Sequence, residues 1–129
     1  MARPASNQPT EVELSILRIL WERGASTARE IHNRLSADRD TNYSTTVKML
    51  SVMLDKHMVS RDDSIRPQVF RAVATQKQTQ QRMLKDLIQK AYDGSTGSLV
   101  LQALASKKAS AEDLAEIKRL LEKLEGGEQ

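Results

Sequence analysis

Apolar residues recur at helical spacing near the start of the chain. Thr10 and Glu13 stand at the spacing of a capping box beside Val12, Leu14, Ile16, Leu17, Ile19, Leu20 and Trp21, and Gly24 offers a stop. This pattern predicts a helix over residues 11–23. Its apolar positions cover more than one narrow stripe, so the helix belongs at the centre of its domain. A second capping box, Thr27 with Glu30, opens a shorter helix over 28–36 with Ala28, Ile31 and Leu35 on one face. After a polar, turn-prone stretch, Ser44 is positioned to cap a third helix running to about His57, with Val47, Leu50, Met53 and Leu54 facing inward.

The period then changes. Val59, Val69 and Phe70 lie in short extended segments separated by the turn formers Asp62, Asp63, Ser64 and Pro67, which predicts a two-stranded hairpin. Three helices followed by a hairpin make a winged helix-turn-helix. Beyond residue 76, Met83, Leu84, Leu87, Ile88, Ala91 and Tyr92 return to helical spacing until Gly94 or Gly97. "SLVLQALAS" makes another short apolar helix, and Ser110 with Asp113 caps a last one bearing Leu114, Ile117, Leu120, Leu121 and Leu124. Short, one-sided helices cannot bury their stripes alone and require a partner. The expected fold is mainly α with a small β-hairpin: a flexible arm over 1–9, a winged helix-turn-helix domain over 10–75, a helical dimerisation region over 76–125 and a flexible tail over 126–129.

Length and composition narrow the function classes. A chain of 129 residues holds one ordinary domain, or a small one with an oligomerisation segment, because single cores usually occupy about 100–150 residues. The absence of cysteine excludes disulfides, thiolate metal sites and cysteine nucleophiles, and fits a cytoplasmic protein. No stretch approaches the roughly 18 apolar residues of a membrane span, so membrane insertion is not expected. Residues 1–75 hold 11 basic side chains against 9 acidic ones, so any nucleic-acid surface there must be a local patch. His32 and His57 have no carboxylate or thiol at ligand spacing, and no nucleophile triad, glycine-rich phosphate loop or carboxylate pair stands out. No metal, cofactor or enzymatic activity is expected.

The third helix carries the chemistry. Ser44, Thr45, Thr46 and Lys48 crowd its first turns, and Met49 follows. Exposed N–H groups and the helix dipole favour the anionic phosphate backbone, hydroxyls reach phosphate or base edges, and threonine methyls meet the thymine methyl. Hydroxyls at a helix start also serve as simple caps, but several in a row exceed what one cap needs. Arg61, Arg66 and Arg71 on the hairpin could straddle the adjacent backbone. Arg61 and Arg66 could equally pair with Asp62 and Asp63 as a solvated hairpin, and Arg66, at the expected tip, is the stronger DNA-binding candidate. Trp21 reads as core or interdomain packing.

Taken in order, "EVELSILRILWERGASTAREIHNRL", "YSTTVKMLSVMLDKHMVSRDD" and "VFRA", with the C-terminal "AYDGSTGSLVLQALASKKASAEDLAEIKRLLEKL", resemble the penicillinase-repressor (BlaI/MecI) family over about residues 10–124. The resemblance implies a homodimeric winged-helix transcriptional repressor on a palindromic operator of double-stranded DNA. Ser44, Thr45, Thr46, Lys48 and Met49 would lie in the recognition helix and Arg66 in the wing, while Leu87, Leu99, Leu101, Leu114, Ile117 and Leu121 would form the dimer contacts. Two-fold symmetry would set the half-sites about 34–36 Å, or a multiple of that, apart.

The family pattern also implies regulation by a membrane sensor metalloprotease that triggers cleavage between Asn and Phe just after Ser-Leu-Val-Leu. This chain holds Gln102 and Ala103 there, so cleavage by a protease of the family's usual preference does not carry over to that bond, while one with other preferences is left open. His57 stands where the family usually has glycine, and it must either adopt a left-handed conformation or end the helix another way. The rival reading is a winged-helix adaptor that binds a protein partner without DNA, to which the near-neutral charge of residues 1–75 lends some support.

Overall fold

The computed structural model describes residues 8–106 and 108–127. Two compact units divide the chain, residues 1–84 and 85–129. The first opens with α1 (Glu11–Arg23), capped by Thr10, whose hydroxyl accepts from the Glu13 amide while the Glu13 carboxylate accepts from the Thr10 amide. β1 (Ser26–Thr27) leads directly into α2 (Ala28–Leu35), where Thr27 and Glu30 repeat the reciprocal cap. Both capping boxes stand where the sequence places them.

α3 (Tyr43–Asp55) starts a residue earlier than expected because its N-cap is Asn42, and Ser44 is a helical residue. Its other end closes through a left-handed His57 at φ 62°. The Met58 amide donates to the Met53 carbonyl at 2.9 Å and the His57 amide to the Leu54 carbonyl at 3.0 Å, the two bonds of a Schellman closure. The conformation that glycine normally supplies is thus imposed on a histidine.

β2 (Val59–Asp62) and β3 (Val69–Ala72) form the expected hairpin with Arg61 opposite Phe70. The sheet has three strands rather than two, since Ser26 and Thr27 pair antiparallel with Phe70 and Val69 in the order β1-β3-β2. A two-residue strand is too short to leave an alternating pattern. Its role is to tie the hairpin to the start of α2.

Ile16, Leu17, Ile19 and Leu20 of α1 meet Ile31 and Leu35 of α2, Leu50 and Met53 of α3, and Val59 and Phe70 of the sheet in one core. α1 supplies four of these ten side chains, in keeping with its broad apolar face. Trp21 packs against this core, and its indole N–H donates to the Ala74 carbonyl at 3.0 Å, clamping the chain that leaves the sheet. Glu13 is 2% exposed, with one oxygen on the Thr10 amide and the other accepting from Lys56 Nζ at 2.9 Å. Burial pushes this carboxyl up, but the Lys56 ammonium and the Thr10 donors outweigh it and leave the group below its ordinary value.

α4 (Gln76–Ala91) begins within the first unit, where Thr79 is buried, and ends at a left-handed Asp93 and Gly94. The boundary between units thus falls inside this helix, whereas the sequence reading divides the chain at 75/76. The second unit continues with α5 (Thr96–Ser106) and α6 (Ala111–Glu125), the latter capped by Ser110 on the Asp113 amide as its sequence predicts. Neither α5 nor α6 has a buried residue. Among the described residues no helix is long and apolar enough to cross a membrane.

Candidate nucleic-acid interface

The inward face of α3 is fixed by Thr46, Leu50 and Met53, which are buried. Helical periodicity then turns Ser44, Lys48, Ser51 and Asp55 the opposite way, and all four are exposed. Thr45 is exposed on one flank of that face, and Met49, half-buried, packs on the core from the same flank. Val47 lies on the other flank and is 41% exposed, so the expectation that it faces inward does not hold. It lines a groove of about 390 Å³ between α3 and the hairpin, together with Ser51, Arg61 and Pro67.

The first turn of α3 converges on one atom. Asn42 Oδ1 accepts from the Thr45 amide at 2.9 Å, from Thr45 Oγ1 at 2.8 Å and from Ser44 Oγ at 2.8 Å. The cap therefore holds both hydroxyls in place while leaving their lone pairs to solvent. The cap and recognition readings are not exclusive here.

Thr46 is placed differently from its sequence reading. It has no exposed surface, its hydroxyl lies 2.8 Å from His32 Nδ1, and it approaches the Asn42 carbonyl at 3.4 Å. A group so enclosed is not offered to a ligand in this fold, and its hydroxyl ties α3 to α2. Sequence spacing alone placed it with its exposed neighbours; the core register of Leu50, i+4 from Thr46, is the signal that assigns it inward. The His32 ring also meets Tyr43 edge to face at 5.6 Å between centroids, and the Arg29 guanidinium carbon stands 3.8 Å over the Tyr43 ring. Asn42, Tyr43, His32 and Arg29 thus shape the front of α3, although none was among the sequence candidates.

On the hairpin, Arg61 Nε donates to Asp63 at 2.7 Å, which is the solvated pairing considered for it. Asp62 accepts from the amide and hydroxyl of Ser64, and these bonds hold its carboxyl below the ordinary range. Arg66 is exposed in the connecting loop and forms no ion pair among the described residues. Its cationic head is accordingly uncommitted. Among the described residues no group of three or more His, Asp or Glu side chains is arranged to hold a metal ion.

In the second unit, Leu101 is 71% exposed, and Leu87, Leu114 and Leu121 are also exposed. Leu99 and Ile117 are half-buried. Gln102 and Ala103 are exposed within α5.

The chain is 20% identical over 114 residues to the methicillin resistance regulatory protein MecI of Mammaliicoccus sciuri, an alignment spanning 88% of this chain and 93% of that protein. Residues 9–123, which take in both units and all of α3 and the hairpin, match the penicillinase repressor family. With three helices and a three-stranded sheet in the first unit, the chain belongs to the penicillinase repressor family of DNA-binding transcriptional repressors.

Proposed function

We propose that the protein is a homodimeric, sequence-specific repressor that binds a palindromic operator through α3 and the hairpin wing. One observation carries this reading: Ser44, Thr45 and Lys48 are exposed together at the front of a helix whose opposite face is locked in the core. Lys48 supplies phosphate attraction, the hydroxyls supply contacts to phosphate or base edges, and Met49 lies at the margin for apolar contact. Arg66 reaches the flanking backbone from the wing. Thr46 positions the helix and touches no DNA.

The second half of the reading concerns assembly. Helices α5 and α6 have no fully buried residue of their own, and a second copy of the chain is the partner that would cover Leu101, Leu114 and Leu121. A symmetric pair presents α3 twice, so its preferred site is an inverted repeat with half-sites about one helical turn, or a multiple of it, apart. Linking the two half-site contacts also raises the effective affinity without new contacts.

Regulation by a membrane sensor protease is part of the proposal, and because Gln102–Ala103 replaces the family's Asn-Phe, cutting at that bond would call for a protease of different preference. Selection of bound duplexes from a random pool tests the whole reading. Recovery of an inverted repeat is expected, with affinity that falls steeply with salt. Recovery of no duplex would favour the protein-binding adaptor instead.

A further inference from the structure

The Arg29–Tyr43 pair shapes the front of α3 but has been given no part in ligand binding. Arg29 is exposed, and its guanidinium carbon stands 3.8 Å over the Tyr43 ring. Tyr43 is itself braced edge-on by His32, whose Nδ1 is tied to the buried Thr46 hydroxyl. The neighbouring acid on α2, Glu30, is engaged with Arg23 at 3.5 Å and with the Thr27 amide. Arg29 forms no ion pair among the described residues.

A stacked guanidinium differs from an ordinary surface arginine in two respects. The aromatic face restricts the side chain before any ligand arrives, so less rotamer freedom is lost on binding. Contact with the ring through the guanidinium carbon leaves N–H groups, the part that bonds an anionic oxygen in bidentate fashion, free for a ligand. Tyr43 is the first residue of α3 and precedes Ser44 and Thr45. Arg29 and Tyr43 also line the groove whose other wall holds Arg61 and Pro67 of the hairpin. The uncommitted cation thus sits between the two elements that the proposed function places against DNA.

We infer that Arg29, held on Tyr43, is a phosphodiester clamp that fixes the register of α3 on the operator by contacting the DNA backbone rather than a base. This inference rests on the proposed function. Its chemistry differs from that of Lys48, a flexible point charge, because the planar, pre-stacked donor edge imposes an orientation on the phosphate it binds. The series from Arg29 through Tyr43 and His32 to Thr46 then connects the clamp to the buried side of α3.

The test uses fluorescence anisotropy of the full-length protein on its selected duplex and on an unrelated duplex of equal length, each across roughly 50 to 200 mM salt. A lost phosphate contact lowers the slope of log affinity against log salt by about 0.9, so Arg29→Ala should lose about threefold less affinity per subunit than the unmodified chain over this range. The reduction should be similar on both duplexes. Tyr43→Leu, which keeps the charge but removes the platform, should weaken binding with the slope unchanged, and Arg29→Lys should retain most of the slope while binding more weakly. Circular dichroism melts of each variant report whether the fold survives, and Arg29→Lys keeps the test informative if Tyr43→Leu unfolds.

An Arg29→Ala variant with the parental slope and affinity would overturn the clamp and leave the repressor reading standing. Loss confined to the selected duplex would also overturn it, since a base contact would then be responsible. Failure of the unmodified chain to bind any duplex would sink both.

Discussion

Separating Lys56 from Glu13 should show which of the two charges depends more on the other. Glu13 is 2% exposed, whereas the Lys56 side chain is 28% exposed. In Lys56→Met the carboxylate keeps the Thr10 donors but loses its cationic partner and has almost no water to replace it. In Glu13→Gln the ammonium can turn toward solvent, and the amide oxygen can still accept from Thr10. Removing one partner of a fully buried pair costs about 3–5 kcal/mol. Lys56→Met should fall near the lower end, about 3 kcal/mol, and Glu13→Gln should cost about half as much because the orphaned charge is rehydrated.

The single tryptophan, Trp21, lies in the same unit and bonds the Ala74 carbonyl, so its fluorescence follows urea unfolding of that unit. The pH dependence has a definite sign. Glu13 titrates below its ordinary value of 4.5 in the folded chain, so the pair's contribution is complete above 4.5 and disappears as pH falls through the lower folded value. The deficit of Glu13→Gln should therefore be full at neutral pH and shrink in acid. A Glu13→Gln variant less stable than Lys56→Met, or a deficit that persists below the carboxyl's range, would refute this reasoning.

Three further outcomes follow from the same geometry. Thr46→Val should destabilise the fold by about 1 kcal/mol, because His32 Nδ1 loses its partner, while the salt dependence of DNA binding stays parental; a lowered slope would return Thr46 to the contact surface. His57→Gly should stabilise the N-terminal unit by about 1 kcal/mol in urea melts, since a left-handed histidine closes α3; a loss of stability would show that the side chain contributes more than the backbone strain removes. If α6 carries the proposed dimer contacts, the double substitution Leu114→Glu/Leu121→Glu should leave a monomer in sedimentation velocity, with little change in the Trp21 melt; a persisting dimer would move the interface off α6.

Much of this architecture is readable from spacing. Thr10–Glu13, Thr27–Glu30 and Ser110 mark helix starts because a cap is a local event, decided within four residues. The left-handed backbone at His57 was one of two readings open from the position after Lys56, and the closure has taken it. What escapes local pattern depends on partners distant in sequence. β1 exists only because Phe70 and Val69 come alongside Ser26 and Thr27. Asn42 displaces Ser44 as the cap once Leu50 and Met53 fix which side of α3 faces the core, and the same register carries Thr46 inward and Val47 outward.

The stacking of Arg29 on Tyr43 joins residues on two helices, and neither periodicity nor a motif announces it. The interface candidates are thus legible as a cluster, but their division into exposed and buried residues required the packed core. Leu114 and Leu121 are legible as a stripe for a related reason, since charged neighbours on the same helix define its far side.

The central claim is that the outward face of α3 meets DNA. The most direct measurement is the affinity of the double variant Ser44→Ala/Lys48→Ala for the selected operator at fixed, near-physiological salt, with dimer content checked in parallel. Both positions are exposed and opposite the core, so the dimer should remain intact while binding falls by about tenfold or more per half-site, in line with roughly 1–3 kcal/mol for a good contact. Operator affinity equal to that of the unmodified dimer would contradict the assignment of α3 as the reading helix.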